Sequence, residues 1–473
     1  MANATKLTVH PDRLLPSEPA LRDIARELYT SVKDLPIISP HGHVPPQWFS
    51  ENPNFKNPTH LLLTPDHYIN RMLHAVGVDL VDLGVGQEDF SDEQARGAFR
   101  IFCENWKVYR GTPMKFWFES ELADVFGIDL VPSAETADEI YDRIDAALTT
   151  DEFRPRELFD RFRIEFIATT DDPVDDLAHH QAIAASEEWS RAVVPTFRPD
   201  KYLEPLKPTW NADVDRLGEV AGVDTTTYKG YIAAMENRRA FFKANGAIST
   251  DHSHADAGAE KLSAVEAERL YAAARAGTIS AADAVRLRRD FVFEQARMAS
   301  EDGLVMTIHP AVARNHHEPT FERFGADVGT DFPIHVEFVN ALKPMLNAFG
   351  TNPNFQLVVF TMDEAVYSRE LGPMASFYPS VYVGAPWWFI DTPDAVMRYR
   401  RAVTEACGFG KTSGMIDDTR ALLSIPARHD MARRVDSAYL ASLVGDHRLT
   451  MDEALDTAYD LVVTNPKKAF RVQ

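Results

Sequence analysis

Two histidines separated by a single residue are the most obvious chemical feature of this chain. His41 and His43 follow a short apolar run at residues 35–39 that is typical of a buried strand. Side chains along a strand alternate with a period of two, so both imidazoles face the same way. Two converging neutral nitrogens predict a site for a divalent transition metal. The alternative interpretation is structural, because a chain with 16 histidines also produces such a pair by chance.

An aspartate near the carboxyl terminus could complete this metal site. Asp418 follows an apolar run at residues 413–416, the last strand-like run of the chain. We predict that Asp418 serves both as a metal ligand and as a catalytic base. It could instead cap the helix expected after it, although Asp417 would fill that role equally well.

Three further histidines follow other strand-like runs. His309 comes after the fifth run, and His252 and His254 come after the fourth. A buried structural role is the default for each one, but their shared position predicts that at least one lies in the site. We take His252 as an additional candidate metal ligand and His309 as a candidate substrate contact. No lysine follows the fourth run before Lys261, so a carboxylated lysine bridging two metals is not expected, and the site would hold at most one ion.

Other side chains near the strand ends could bind a substrate. Arg198 and Arg420 follow the third and eighth runs, and a guanidinium can grip a carboxylate through two hydrogen bonds. They predict an anionic substrate, with surface ion pairing as the alternative. Trp387 and Trp388 could wall a sugar pocket or fill space between strands and helices. Tyr68 could reach over the site as a proton shuttle, or have a purely structural role.

Eight short apolar runs, each followed by polar residues, are the elements that would position these side chains. They lie at residues 35–39, 164–169, 192–196, 247–250, 304–308, 355–360, 381–384 and 413–416. Helical patterns separate them, as in residues 283–297, where apolar positions recur every three or four residues. Alternating strands and helices of this number predict an α/β fold, a (β/α)8 barrel with its chemistry at the carboxyl ends of the strands. Closure of the barrel would place Asp418 beside the first strand.

The gap between the first two runs is much longer than the others. Residues 50–160 contain helical patterns, and we predict a mostly helical insertion that caps the mouth of the barrel. The whole chain, residues 1–473, would then be one domain. The alternative is two independent domains divided near residue 155, but the run at residues 164–169 still needs the first strand to complete a sheet.

The composition disfavours several classes of function. With 49 Lys and Arg against 71 Asp and Glu, the net charge of −22 disfavours nucleic acid and anionic membranes as partners. No stretch reaches the roughly 18 apolar residues of a membrane span, and the N-terminus lacks the apolar segment of a signal peptide. With only two cysteines, we therefore expect a cytoplasmic protein, and its size and charge suggest a homo-oligomer. Motifs for nucleotide binding, hydride transfer and serine hydrolysis are absent, so no nucleotide cofactor is expected.

Longer motifs extend along nearly the whole chain. They include His41-Gly-His43-Val-Pro-Pro, Asp66-His67-Tyr68, Thr170-Asp171-Asp172-Pro173, Arg198-Pro-Asp-Lys201, Asp251-His252, Trp387-Trp388-Phe389, Gly414-Met-Ile-Asp-Asp418-Thr-Arg420 and the segment at residues 428–434. In these motifs the chain resembles the uronate isomerase (glucuronate isomerase) family of the amidohydrolase superfamily. The Asp-His-Tyr, Thr-Asp-Asp-Pro and Arg-Pro-Asp-Lys elements are family-specific, whereas His-x-His is shared by the superfamily.

The resemblance implies a distorted (β/α)8 barrel that interconverts D-glucuronate with D-fructuronate and D-galacturonate with D-tagaturonate. The implied ligands of one divalent metal ion, commonly zinc, are His41, His43 and Asp418. Asp418 would also carry a proton between C2 and C1 of a cis-enediol, while Tyr68 would move a proton between the two oxygens. The implied contacts to the carboxylate of the sugar acid are Arg420, His67 and Arg198.

Three positions depart from the family pattern: Ser39 replaces an aspartate, Pro310 follows His309, and His254 forms a second His-x-His pair. These changes alter the rim of the site and leave the metal-and-base set intact. The alternative function is a metal-dependent hydrolase or decarboxylase of the same superfamily acting on a small carboxylate. A third interpretation is a non-catalytic protein that binds a sugar acid. The joint presence of the metal, base and shuttle residues argues against it.

Overall fold

The computed structural model describes residues 6–87 and 90–472. The first five residues, which belong to the segment searched for a signal peptide, lie outside the described part. The strands are β1 (Ile37–Ser39), β2 (Ile164–Ala168), β3 (Ala192–Val194), β4 (Ser249–His252), β5 (Val305–Ile308), β6 (Val312–Ala313), β7 (Phe332–Pro333), β8 (Leu357–Val359) and β9 (Val381–Val383).

Helices occupy most of the remaining chain. They are α1 (Pro19–Val32), α2 (Pro46–Glu51), α3 (Pro58–Leu62), α4 (His67–Ala75), α5 (Asp92–Glu104), α6 (Pro113–Ser120), α7 (Ala137–Leu148), α8 (Pro155–Arg161), α9 (Ala178–Ala184), α10 (Trp210–Ala221), α11 (Tyr228–Ala244), α12 (Ala264–Arg275), α13 (Ala281–Asp302), α14 (Glu318–Phe324), α15 (Lys343–Phe349), α16 (Gly372–Phe377), α17 (Pro393–Cys407), α18 (Ile425–Gly445), α19 (Met451–Tyr459) and α20 (Asn465–Phe470). This content confirms the α/β class.

Parallel strands form two sheets, ordered β1-β2-β3 and β4-β5-β8-β9. Phe197 lies between the two sheets, with a parallel bridge to Asp171 on one side and to Thr250 on the other. All residues of β1, β4, β5, β8 and β9 are buried. Burial on both faces explains why β5, β8 and β9 read as mainly apolar runs rather than as alternating patterns.

Seven of the eight predicted runs contain a strand, and the eighth does not. Residues 413–416 form no strand; Thr412 makes a single parallel bridge to Val383, and Ser413 N–H donates to the Val383 carbonyl. Gly414 interrupts the extended backbone with a φ of +72°, a left-handed conformation. A side chain there would also meet Pro466, which is 2.6 Å from the position of a Cβ.

The helix predicted around residues 283–297 is α13. Its N-cap is Ser280, whose side chain accepts from the Asp283 N–H, and it ends where Gly303 adopts a φ of +78°. The helix therefore begins at a serine that caps it and ends at a glycine in the left-handed conformation.

Helices α2 to α8 fill the chain between β1 and β2, as predicted for this mostly helical stretch. Their apolar side chains share one core with Ile37 and Ile164 of the strands and with Leu422 and Leu423. The division into one domain of residues 1–473 with a cap at residues 50–160 stays a prediction. Among the described residues, no helix is both long and apolar enough to cross a membrane.

Candidate active site

The predicted site residues converge on a cavity of about 200 Å³. It lies at the carboxyl ends of the parallel strands, where the loops that follow them meet. The predicted residues that line it are His43, His67, Tyr68, Arg198, His309, Trp387, Asp418 and Arg420. His41 lies directly beside this cavity, as its contact with Asp418 shows, whereas His252 does not belong to the lining.

Three side chains at the base of the cavity form a group that could hold a metal ion. Asp418 Oδ1 lies 3.3 Å from His41 Nε2 and 3.0 Å from His43 Nε2. One ligand atom from each of the three residues falls within 4.8 Å of the others. Asp418 Oδ1 is buried and, among the described residues, has no hydrogen-bond partner of good geometry, so it can coordinate a cation. This donor set of two imidazoles and a carboxylate fits a divalent metal.

The backbone holds Asp418 in an unusual conformation. Its φ of +42° lies in the left-handed region, which aspartate tolerates better than most residues. The His43 N–H donates to the Thr419 carbonyl at 3.0 Å. This contact fixes the loop after β1 against the segment that carries Asp418.

The electrostatics of this group favour a positive charge. The nearby imidazoles hold the pKa of Asp418 far below its usual range although burial opposes them. Burial lowers the pKa of His43, which keeps that imidazole neutral. Burial also acts against a charged His41, but the carboxylates of Asp251 and Asp418 outweigh it and raise the pKa of His41. A cation bound between the carboxylates of Asp251 and Asp418 would be stabilised by the same negative charges.

Asp251 is a site residue that the sequence indicated only as part of a motif. It is fully buried on β4, and its Oδ1 lies 2.7 Å from His309 Nε2. The Thr307 hydroxyl donates to the same oxygen at 2.8 Å, and Arg198 Nη1 lies 3.4 Å from Oδ2. Burial raises the pKa of Asp251, but His309, His41 and Arg198 outweigh it and lower the pKa well below its usual value. Asp251 thus links His309 to Arg198.

The histidines of the fourth strand lie apart from the metal group. His252 Nδ1–H donates to the Thr307 carbonyl at 3.0 Å, and burial lowers its pKa to about 4. His254 Nδ1–H donates to Glu204 at 3.0 Å. The structure does not bring His252 into the group of His41, His43 and Asp418, and its role as a ligand stays without geometric support.

Tyr68 is placed by the start of α4. The side chain of Asp66 caps this helix by accepting from the Tyr68 N–H at 2.8 Å. The Tyr68 hydroxyl donates to Asp391 at 2.9 Å and accepts from the Phe389 N–H at 3.0 Å. The adjacent His67 stacks on Tyr68, and burial together with nearby guanidinium groups lowers the pKa of His67 to about 3. His67 is therefore a neutral imidazole at physiological pH.

The two predicted carboxylate-binding arginines differ in their partners. Arg420 Nη2 donates to Asp327 at 2.7 Å, and Arg314 Nη1 lies 3.8 Å from the same carboxylate. Asp327 thus lies between two guanidinium groups. Arg198 instead donates to Asp200 at 2.8 Å. Arg314 and Asp327 belong to the loop between β5 and β8, which the sequence did not identify as part of the site.

Two tryptophans form one wall of the cavity. The Trp387 ring packs edge-on against His309, with centroids 4.5 Å apart. The indole N–H groups of Trp387 and Trp388 are buried and have no partner in the described part of the chain. Unpaired buried donors are costly, and a ligand oxygen would satisfy them. This wall therefore offers two hydrogen-bond donors to a polar ligand.

Parallel strands with a His-x-His pair and an aspartate at their carboxyl ends define an enzyme of the amidohydrolase superfamily. The family model described as glucuronate isomerase matches residues 18–470. The uronate isomerase of Cutibacterium acnes is 54% identical over 464 residues, covering 98% of each chain. That of Corynebacterium efficiens is 47% identical over 470 residues, covering 99% of this chain and 100% of the relative. The chain belongs to the glucuronate isomerase family.

Solved structures agree with this assignment. The crystal structure of glucuronate isomerase from Caulobacter crescentus superposes with a TM-score of 0.97 at 46% identity, covering 99% of this chain and 98% of that one. The uronate isomerase from Thermotoga maritima gives a TM-score of 0.91 at 26% identity, covering 98% and 100%. These relatives do not favour the hydrolase or decarboxylase alternative.

Proposed function

We propose that this protein is an aldose–ketose isomerase that interconverts D-glucuronate with D-fructuronate and D-galacturonate with D-tagaturonate. The observation that carries the proposal is the convergence of Asp418, Tyr68 and Arg420 on one cavity, in a chain that matches uronate isomerases along its whole length. These three side chains supply a base, a hydroxyl proton donor and a cation for a carboxylate.

The reaction moves one hydrogen between neighbouring carbons. Asp418 removes the proton from C2 of the open-chain aldose and returns it to C1, which requires a base that stays close to both carbons. In the same reaction, the proton on O2 must reach O1, and the Tyr68 hydroxyl would carry it. Burial opposes ionisation of Asp418, but the neighbouring imidazoles outweigh it, lower its pKa and keep the carboxylate ionised.

His41, His43 and Asp418 would hold a single divalent metal ion, and we propose zinc. When bound, such an ion supplies Lewis-acid polarisation of a substrate oxygen. The fit rests on the buried Asp418 Oδ1 and on the two neighbouring imidazoles.

Recognition of the sugar acid would depend on charges at the cavity mouth. Arg420, supported by Arg314, would exchange Asp327 for the carboxylate of the substrate. His67, neutral and half-buried, and Arg198 would contact the same end of the molecule, while His309 and Trp387 would line the path of the sugar chain. The protein carries a net charge of −22, so this local cationic group is what would attract an anion.

We also propose that the strands close into a distorted (β/α)8 barrel. Four backbone contacts support closure: the two bridges of Phe197 between the sheets, the bridge from Val383 to Thr412, and the hydrogen bond from His43 to Thr419. A cytoplasmic location and a homo-oligomeric state are proposals that rest on composition alone.

The isomerase proposal is tested by proton NMR of the purified protein with D-glucuronate and then D-galacturonate in D₂O. We expect new ketose resonances with at least one sugar, and the relative rates identify the preferred epimer. Deuterium at carbon measures how far the transferred proton exchanges with solvent. Unchanged spectra for both sugars, with metal content verified, would refute the isomerase and direct attention to carboxylate esters, lactones and amides.

Metal binding is tested separately by elemental analysis. We expect about one divalent ion per chain in the wild type and loss of most of it in a His41→Asn, His43→Asn double variant, since two of three ligands are removed. His254→Asn is the matched control, because His254 also belongs to a His-x-His pair but contacts Glu204 outside the group. Equal metal content in the double variant and the control would show that the ion binds elsewhere.

A further inference from the structure

We propose that Asp391, held by Arg428, is a positioning residue that receives and returns the proton of Tyr68 during transfer between the two substrate oxygens. The proposal rests on the proposed isomerase function, in which Tyr68 carries that proton. Neither Asp391 nor Arg428 was singled out by the sequence for this role.

The three side chains form a continuous buried chain of hydrogen bonds. The Tyr68 hydroxyl donates to Asp391 Oδ1 at 2.9 Å, and Arg428 Nη1 donates to Asp391 Oδ2 at 2.8 Å. Only 3% of each side chain of the Asp391–Arg428 pair is exposed. Within the described part of the chain, each carboxylate oxygen accepts one side-chain hydrogen bond, and the pair is almost fully shielded from solvent.

Arg428 is itself fixed from several sides. Its guanidinium lies over the Trp117 ring at 3.8 Å and over the Tyr68 ring at 5.4 Å. It also donates to the Asp417 carbonyl at 3.3 Å, one residue before the proposed base. The ion pair thus connects the tyrosine to the segment that carries Asp418 and fixes the distance between the two proton-transfer groups.

The backbone around Trp388 directs a hydrogen-bond donor at the hydroxyl oxygen of Tyr68. Trp388 and Phe389 have φ values of +25° and +68°, a left-handed conformation that non-glycine residues seldom adopt. In this conformation the Phe389 N–H donates to the Tyr68 oxygen at 3.0 Å. With one lone pair used by Phe389 and the proton directed at Asp391, a second lone pair stays available to accept a proton from the substrate.

The proton transfer balances without a phenolate. As the O2–H bond breaks, its proton passes to the Tyr68 oxygen, while the original Tyr68 proton passes to the Asp391 carboxylate. In the return step, Asp391 gives its proton back to Tyr68, and Tyr68 delivers a proton to O1. Burial and the adjacent Asp391 raise the pKa of Tyr68 well above its usual value, so that a relay through a neutral phenol avoids an unfavourable anion. Burial also raises the pKa of Asp391 despite Arg428, which eases its transient protonation.

The test compares Asp391→Asn in two backgrounds. In the wild-type background we expect kcat to fall by about 10²-fold, within the range of acid–base catalysis, with KM changed by less than about threefold. The solvent deuterium isotope effect on kcat should rise, since transfer between the oxygens becomes slower than transfer between the carbons. In the Tyr68→Phe background the same substitution should lower kcat no further, because Asp391 acts only through Tyr68.

The matched control is Asp436→Asn. Asp436 pairs with Arg400 through hydrogen bonds of 2.6 and 2.8 Å, and both side chains are buried away from the cavity. We expect this variant to lose stability and to keep its kcat. If Asp391→Asn does not fold because Arg428 is left buried and unpaired, the Asp391→Asn, Arg428→Met double variant removes both charges and is expected to show the same loss of kcat and the same isotope effect.

Two sets of results separate the relay from the isomerase proposal. If Tyr68→Phe is impaired, any of three results would overturn the relay and leave the isomerase proposal standing. They are an equal loss of kcat from Asp391→Asn in both backgrounds, an unchanged solvent isotope effect, and a normal kcat in Asp391→Asn. Wild-type turnover in Tyr68→Phe would overturn both the relay and the proposed role of Tyr68, whereas no turnover of either uronate by the wild type would overturn the isomerase function itself.

Discussion

Replacement of Asp418 by asparagine is expected to lower kcat by about 10³–10⁴-fold, the upper part of the range for a general base. The amide has the size of the carboxylate but cannot accept the proton from C2. Asparagine tolerates the left-handed backbone as well as aspartate does, and at this position φ is +42°. The folded structure should therefore persist, which circular dichroism and the thermal unfolding midpoint would check.

Asp417→Asn is the matched control, since the two aspartates are adjacent and both were candidates for the cap of the next helix. Asp417 Oδ2 lies 3.0 Å from His429 Nε2, on the side of α18 rather than in the cavity. We expect its kcat to stay within about tenfold of the wild type. Deuterium exchange at C2 of the substrate in D₂O separates loss of proton abstraction from loss of a later step. Full exchange in Asp418→Asn would assign the base to another residue, and metal analysis of the same sample would show whether the ion is retained.

The strands could be predicted because burial leaves a direct trace in the sequence. Residues 304–308 and 355–360 read as continuous apolar runs since both faces of β5 and β8 are covered. The run at residues 413–416 has the same character but contains Gly414, whose left-handed φ breaks the strand. Composition alone does not distinguish a glycine within a strand from one that ends it.

The proposed metal ligands and base could be selected from the sequence because strand ends are where a parallel α/β fold collects its chemistry. The hydrogen-bond partners of other site residues, such as Tyr68 and Arg420, could not be predicted from the sequence. Asp391 is 323 positions from Tyr68, and Asp327 is 93 positions from Arg420. Such contacts depend on how loops pack over the cavity, and no local pattern records them. Tyr68 itself was uninformative by pattern and gained a role only through the family motif.

Replacement of Arg420 by methionine is expected to lower kcat/KM for both uronates by about 10–100-fold, mainly through KM. A hydrogen bond to a charged group contributes about 1.5–3 kcal/mol, and each 1.4 kcal/mol corresponds to about tenfold in affinity. The structure already shows a carboxylate on this guanidinium, since Asp327 accepts from Arg420 at 2.7 Å. Initial rates with each uronate over a range of concentrations provide the measurement.

Arg398→Met is the matched control, because Arg398 makes a similar pair with Glu364 at 2.8 Å but on an exposed part of α17. An exposed pair contributes little, and we expect its kinetics to match the wild type. If Arg420→Met lowers kcat and leaves KM unchanged, Arg420 acts on the transition state rather than on the bound carboxylate. If Arg314→Met raises KM more than Arg420→Met does, the carboxylate is held mainly by the loop between β5 and β8, and that loop, rather than the segment after Gly414, determines which anions enter the site.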